Sequence, residues 1–292
     1  MAKSKTVASR LRFWPIGFLL ALADRLPWGW RLALGSSVMR AAVWLLPKYR
    51  SRVDGNLQMI FPDLAAKERR RIRYAMGDNF GRTIIEVLDN PRFHERGDWI
   101  APQGAAADAL LEAAHSGRGA VLITGHFGQW EALRGWLKTL GIPCGGVYRA
   151  VGNPDLNEVY EEAIRFGGPV FNKDRSGVRA MVRHLSKRQL LAIGADQFEK
   201  RGARLDFIGA PAPTTLVPAE MALRFGMPLI PFYGLREPNR RTIRIILEDE
   251  IPPTQAEEMM QAANDSLAAM VRAHPVQYYW LHRRWTKDMP GT

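Results

Sequence analysis

The sequence predicts an α/β fold with a mostly parallel central sheet covered by helices on both faces. Short β-branched apolar runs alternate with longer segments whose apolar residues recur every three or four positions. The 292 residues are 47% hydrophobic and 24% charged, which is typical of a folded globular chain and excludes a disordered or fibrous one. Since no repeat or long linker interrupts the chain, we predict one α/β domain over 53–292, preceded by a basic, apolar segment over 1–52.

Segment 1–52 has the composition of a membrane anchor. It contains ten Lys or Arg and one acidic residue, Asp24. Its first apolar run, 13–23, would span only about 16 Å as a helix, too short for ~30 Å of hydrocarbon. We therefore predict a hydrophobic helical hairpin or interfacial anchor over 13–46, on the cytoplasmic, anionic leaflet. The alternative is that these helices simply pack on the domain. The tryptophans expected at headgroup level are Trp14, Trp28, Trp30 and Trp44.

The elements of the domain follow from periodicity and from helix-ending residues. The first helix places Ile72, Met76 and Phe80 at four-residue spacing, and Gly226 ends a later one before Pro228. Helices are predicted over 67–90, 104–117, 129–141, 153–166, 176–185, 215–225 and 254–274. Strands are predicted over 119–125, 144–149, 189–197, 228–235 and 242–249, with a brief extended segment over 205–209.

The net charge of +12 indicates an anionic partner: nucleic acid, an acidic membrane surface or a phosphorylated substrate. No zinc finger or other nucleic-acid-binding module is recognisable, and the apolar amino terminus argues against nucleic acid as the partner. A single cysteine, Cys144, excludes a disulfide framework and a metal site built only of thiolates.

The candidate catalytic residues are His126 and Glu131. His126 follows a predicted buried strand through Gly125, and Glu131 lies five residues on in the next helix. Ligands of open α/β sheets bind at the carboxyl ends of strands. When a carboxylate accepts a hydrogen bond from one imidazole nitrogen, the other nitrogen becomes a stronger base that can take a proton from a hydroxyl. A structural histidine at a helix start would give the same spacing. The other histidines lack metal-ligand spacing, so no metal site is predicted.

Beyond this pair of residues, the sequence contains an ordered set of motifs that resembles those of a known protein family. GHFGQWE (125–131) resembles the HxxxxE signature of the lysophospholipid acyltransferase superfamily, specifically the lipid A biosynthesis lauroyl/myristoyl acyltransferases. Further similar motifs follow in the family's order over nearly the whole chain: VYRAVGNP (147–154), KDRSGVRAM (173–181), ADQ (195–197), DFIGAPAPTT (206–215), ALRFGMPLIP (222–231) and YYWLHRRW (278–285).

The resemblance implies an O-acyltransferase that moves a fatty acyl chain from acyl carrier protein to a hydroxyl of a lipid A precursor. The reaction would occur at the cytoplasmic face of the bacterial inner membrane, without a metal or organic cofactor. By resemblance, His126 is the general base and Glu131 orients it. The sequence leaves open another acceptor, such as a lysophospholipid or glycolipid, and also an inactive membrane-bound scaffold.

Further residues are candidates for substrate binding. Arg149 ends the VYR strand and could hold an oxyanion or a substrate phosphate, or make a structural ion pair. Asp196 and Gln197 end another strand and could position polar groups of the substrate or cap a loop. Lys173 and Arg175 begin a basic stretch over 173–204, which could attract an acidic carrier protein and a phosphorylated lipid or form a solvated helix face.

Overall fold

The fold is described from a computed structural model, which covers Gly17, Ala21 and residues 24–285. The helices in this part of the chain are α1 (Trp28–Leu45), α2 (Pro47–Ile60), α3 (Ala66–Leu88), α4 (Asn90–Glu95), α5 (Ala105–His115), α6 (Ala132–Thr139), α7 (Pro154–Ile164), α8 (Arg175–Ser186), α9 (Val217–Phe225) and α10 (Ala256–Ala273). The strands are β1 (Trp99–Ile100), β2 (Val121–Thr124), β3 (Gly145–Tyr148), β4 (Val170–Asn172), β5 (Leu191–Gly194), β6 (Ala203–Phe207), β7 (Ala210–Thr214), β8 (Leu229–Arg236) and β9 (Ile243–Leu247).

A seven-stranded sheet forms the centre of the described residues, in the order β1-β9-β8-β2-β5-β3-β4. Every neighbouring pair is parallel except β8 and β9. Those two strands are separated by residues 237–242 alone, too short a connection for the crossover that parallel pairing requires. The predicted α/β fold with a mostly parallel sheet is confirmed.

Both faces of the sheet are covered, as predicted. In β2, Val121 and Ile123 pack in one cluster with side chains of α8, α9 and α10. Leu122, which points the other way, packs with side chains of α4, α5 and α6. All four residues of β2 are buried, because a parallel strand between two helical layers has no solvent face.

A separate hairpin of β6 and β7 differs from the sequence prediction, which gave only a brief extended segment over 205–209. The two strands pair antiparallel and are joined by Ile208 and Gly209, both with positive φ (60° and 87°). Such a turn matches the twist of a two-stranded ribbon. The sequence does not predict β7 because the strand contains Pro211 and Pro213. Proline lacks a backbone N–H, so it is tolerated in a strand only where no hydrogen bond has to be donated to the neighbouring strand.

The amino-terminal segment packs on the domain where the structure describes it. Residues 13–16, 18–20 and 22–23 of the predicted anchor, and Trp14, lie outside the described residues. Helix α1 lies against α3, and the two backbones meet at Gly35 and Gly81. No helix within the described part is long and apolar enough to cross a membrane. Helix α2 also runs across the predicted boundary at residue 52.

Candidate active site

The register of two neighbouring strands brings His126 and Asp196 together. Strands β2 and β5 are parallel, and Thr124, the last residue of β2, pairs with Gly194, the last of β5. The Ala195 backbone N–H donates to the Thr124 carbonyl at 2.9 Å and extends this register by one residue. His126 and Asp196 each come two residues after their strand, so they lie side by side at the carboxyl edge of the sheet.

Asp196 holds His126 through two hydrogen bonds. The His126 Nδ1 lies 2.7 Å from Asp196 Oδ1, and the His126 backbone N–H donates to Oδ2 at 2.9 Å. Burial alone raises the pKa of Asp196, but the charge of His126 and its hydrogen bonds outweigh burial and lower that pKa well below its usual range. An ionised carboxylate only accepts hydrogen bonds, so Nδ1 carries a proton, and in the neutral form of the ring Nε2 is the nitrogen with the free lone pair.

Glu131, the expected orienting residue, has a different partner. Glu131 immediately precedes α6, and its carboxylate accepts a hydrogen bond at 2.5 Å from Arg134 in the first turn of that helix. Arg134 is 2% exposed and also donates to the carbonyls of Cys144, Ile164 and Gly168. A buried guanidinium needs an anionic partner, and Glu131 supplies it in place of binding the imidazole. Burial raises the pKa of Glu131, and Arg134 opposes that rise. The structure therefore corrects the expected His126–Glu131 contact to His126–Asp196.

His126 lies at a pocket of about 360 Å³ that combines polar and apolar walls. Its polar lining includes Arg149, Lys173 and Gln197, which the sequence singled out. Its apolar lining comes mainly from α3 and α7 and from the adjoining strands: Phe80, Ile84, Val87, Leu88, Val147, Leu156, Ile164, Ile193 and Phe232.

Five of the seven predicted site residues line this pocket, because they follow the carboxyl ends of adjacent strands. Arg149 follows β3, and Lys173 follows β4, with its backbone N–H on the Tyr148 carbonyl at 3.0 Å. Lys173 is exposed as a whole residue, but desolvation of its ammonium group at the pocket wall and the nearby charge of Arg149 lower its pKa. Asp196 does not line the pocket itself but contacts His126, which does. Arg175 does not line the pocket, since it is exposed at the start of α8, where the Asp174 side chain caps the helix.

The carboxyl-terminal segment adds aromatic residues that were not among the predicted site residues. The Tyr279 backbone N–H donates to the His126 carbonyl at 3.0 Å, which brings this segment onto the loop after β2. The His282 ring then lies edge-on to His126, with centroids 4.4 Å apart, and Trp130 lies 5.2 Å from His126. The sequence HRRW (282–285) is the feature that could have pointed to this segment, but nothing in it indicates that His282 lies beside His126 at the end of β2.

The ring nitrogens of His126 and His282 and a carboxylate oxygen of Asp196 lie within 4.8 Å of one another, a set that could in principle hold a cation. However, both Asp196 oxygens accept hydrogen bonds from His126. The carboxylate is thus already used by the imidazole and the His126 backbone, so the arrangement fits a proton-transfer pair better than a metal centre.

Comparison with known proteins identifies the family. The family profile described as bacterial lipid A biosynthesis acyltransferase matches residues 1–287. The chain belongs to this family. A lipid A biosynthesis lauroyltransferase of Escherichia coli is 25% identical over an alignment covering 100% of this chain and 97% of that protein. Phosphatidylinositol mannoside acyltransferases of Mycolicibacterium smegmatis and Mycobacterium tuberculosis are each 24% identical, covering 70% and 73% of this chain and 67% and 69% of theirs.

Membership of the lipid A acyltransferase family makes the chain an O-acyltransferase that transfers an acyl group to a lipid. The pocket agrees with this activity, because a histidine paired with a carboxylate lies beside apolar walls that suit a hydrocarbon chain.

Proposed function

We propose that this enzyme transfers a fatty acyl chain from an acyl carrier protein thioester to a hydroxyl of a lipid A precursor. His126 is the general base and Asp196 is its orienting partner. The observation that carries the proposal is the His126–Asp196 pair, with Nδ1 on the carboxylate at 2.7 Å and the ring lining the pocket.

The proposed chemistry follows from the protonation state of this pair. Nε2 takes the proton of the lipid hydroxyl while the hydroxyl oxygen attacks the thioester carbonyl carbon. The tetrahedral intermediate then collapses, the carbon–sulfur bond breaks, and the leaving thiolate takes the proton from Nε2. General-base assistance of this kind is worth roughly 10² to 10⁴ in rate. No step requires a metal or an organic cofactor.

The substrates have complementary surfaces around the pocket. We assign the acyl chain to the apolar walls from α3 and α7, and phosphate groups of the acceptor to Arg149 and Lys173. Helix α8 presents Arg175, Arg179 and Arg183 to solvent at four-residue spacing. This exposed basic face suits an acidic carrier protein.

We further propose that the enzyme works at the cytoplasmic face of the inner membrane through α1. Helix α1 exposes Trp30 (69%) and Trp44 (62%), and Leu45 is 62% exposed. Exposed tryptophans beside arginines and lysines are typical of surfaces that bind an anionic membrane interface.

A second candidate acceptor is a glycolipid of another kind, because two of the similar proteins are named phosphatidylinositol mannoside acyltransferases. The His126–Asp196 pair would serve either hydroxyl. The acceptor depends instead on the shape of the pocket and on Arg149 and Lys173 around it.

The test is an acyl-transfer assay with the full-length protein in detergent, read by product mass. Acyl carrier protein thioesters of several chain lengths and acyl-CoA would compete as donors; a lipid A precursor, a mannosylated phosphatidylinositol and a lysophospholipid would compete as acceptors. Acylation of the lipid A precursor from the carrier protein is the expected result. Acylation of another acceptor alone would replace the proposed substrate, and the absence of any transfer by folded protein would favour an inactive scaffold.

A further inference from the structure

His282 is a second histidine in the pocket, and its Nε2 has no assigned partner. This nitrogen is buried and makes no hydrogen bond to any residue that the structure describes. The ring lines the same pocket as His126. It is held edge-on between His126, at 4.4 Å between centroids, and Tyr279, at 4.7 Å. A buried polar atom without a partner costs free energy, so its retention beside a catalytic base calls for a functional explanation.

The position of His282 is fixed by its backbone as well as by these ring contacts. Its N–H donates to the Tyr279 carbonyl at 3.3 Å, and its own carbonyl accepts from the Asn56 side chain at 3.0 Å. Asn56 also donates to the Trp280 carbonyl at 2.7 Å, which fastens the turn to α2. The imidazole is therefore presented to the pocket by a preorganised loop, as electrostatic catalysis requires.

The surroundings keep this imidazole uncharged. Burial, followed by the nearby charge of His126, lowers the pKa of His282 to about 3; Arg284 and Arg149 act in the same direction, and Asp196 opposes them. At neutral pH His282 can then neither compete with His126 for the substrate proton nor repel the imidazolium that forms on His126. It can still donate a hydrogen bond, and a neutral imidazole is a known kind of electrophile in enzyme sites.

We propose that His282 is a catalytic residue whose Nε2–H donates a hydrogen bond to the thioester carbonyl oxygen as that oxygen becomes negatively charged. This inference rests on the proposed acyl transfer. When the lipid oxygen bonds to the carbonyl carbon, the carbonyl π electrons move onto the oxygen, and His282 stabilises the resulting oxyanion. When the C=O bond re-forms, the carbon–sulfur bond breaks and the thiolate leaves with the proton held on His126. His282 itself gains and loses no proton.

The kinetic test compares His282→Phe, which keeps a flat ring and removes the donor, with His282→Gln, which keeps an N–H donor. Removing one oxyanion donor costs roughly 10² to 10³ in kcat. We expect such a loss in His282→Phe with little change in KM, and partial recovery in His282→Gln. His115→Gln, at an exposed histidine on α5, is the matched control. A KM rise with unchanged kcat, or equal losses in the Phe and Gln variants, would overturn the proposal.

A second measurement does not depend on activity. In protein labelled with ¹⁵N-histidine, the signals missing from His282→Gln identify those of His282, and their shifts report its tautomer. A neutral ring protonated at Nε2 throughout pH 5.5–8 is expected; protonation at Nδ1 alone, or titration near neutral pH, would overturn the assignment. Wild-type protein without transferase activity would contradict the proposed function, whereas active wild type with a fully active His282→Phe would contradict only the role of His282.

Discussion

At the scale of single residues, the site contains two buried carboxylates with different tasks. Asp196 is 1% exposed, and both of its carboxylate oxygens accept hydrogen bonds from His126. Its negative charge therefore acts on the imidazole. Glu131 is 9% exposed and is occupied by Arg134, which also binds three carbonyls from other segments. One carboxylate thus holds the imidazole of His126, while the other neutralises an arginine that binds the backbone of the pocket wall.

Glu131→Gln is therefore expected to reduce stability. Arg134 would stay buried without its anion, and breaking a buried pair by removing one partner costs about 3–5 kcal/mol. The amide can retain one hydrogen bond, so we expect a loss near the lower end of that range, measured by urea unfolding.

The matched control is Glu68→Gln. Glu68 forms an ion pair with Arg71 at the same three-residue spacing, but the side chains of this pair are 37% and 65% exposed. We expect no measurable change in the unfolding midpoint. Equal effects of the two substitutions would contradict the structural role given to the Glu131–Arg134 pair.

Some residues of the site could be predicted from the sequence and others could not. His126 and Arg149 could be predicted because each comes at the end of a recognisable strand, and Lys173 because it begins a recognisable motif. The pairing of His126 with Asp196 could not, since it joins residues 70 apart and depends on the register of β2 against β5. The position of His282 depends similarly on how the carboxyl-terminal segment docks on the loop after β2.

At the scale of elements, the contact between α1 and α3 depends on two glycines. A Cβ added to Gly81 would lie 2.2 Å from the Gly35 carbonyl oxygen, so the helices could not keep their present separation. The contact determines how α1 sits beside α3, and α3 supplies Phe80, Ile84, Val87 and Leu88 to the pocket.

We predict that Gly81→Ala lowers stability by about 1–3 kcal/mol, because overpacking forces a backbone shift. Gly55→Ala in α2 is the control, since no atom lies within 4 Å of the added Cβ. Replacing a glycine in an open helical position stabilises by roughly 0.5–1 kcal/mol, so the two variants should shift the unfolding midpoint in opposite directions. A stabilised Gly81→Ala protein would refute the close packing of the two helices.

The elements of the domain were predictable to different degrees. The long helices α3 and α10 and the buried strands β2, β5 and β8 follow from periodicity and from flanking glycines. Strands β1 and β4 have only two and three residues and carry too little pattern. β9 was predicted as a strand, but its antiparallel direction follows from the short connection after β8.

At the scale of the whole molecule, buried histidines should make stability depend on pH. Burial lowers the pKa of His94 to about 4 and that of His282 to about 3, and it also lowers the pKa of His184, against an ordinary value of 6.5. Between pH 6.5 and about 4, the unfolded chain binds protons that the folded chain does not. Stability is therefore lost as pH falls through this window, by up to about 1.4 kcal/mol per pH unit for each such histidine.

Unfolding midpoints measured at pH 7, 6 and 5 check this dependence. His94→Leu should show a shallower fall than the wild type, because one of the buried bases has been removed, whereas His115→Gln should follow the wild type. A midpoint that stays constant from pH 7 to pH 5 would mean that these histidines are not held neutral in the folded protein.

The central claim is that His126 is activated by Asp196, in a lipid acyltransferase whose Glu131 is structural. The most direct measurement is the rate of acyl transfer by Asp196→Asn and Glu131→Gln, beside His126→Ala, using the best donor and acceptor for the wild type and protein shown to be folded. We expect Asp196→Asn to lose about 10²-fold or more in kcat, approaching His126→Ala, and Glu131→Gln to stay within about tenfold of the wild type. A nearly fully active Asp196→Asn beside a strongly impaired Glu131→Gln would contradict the account.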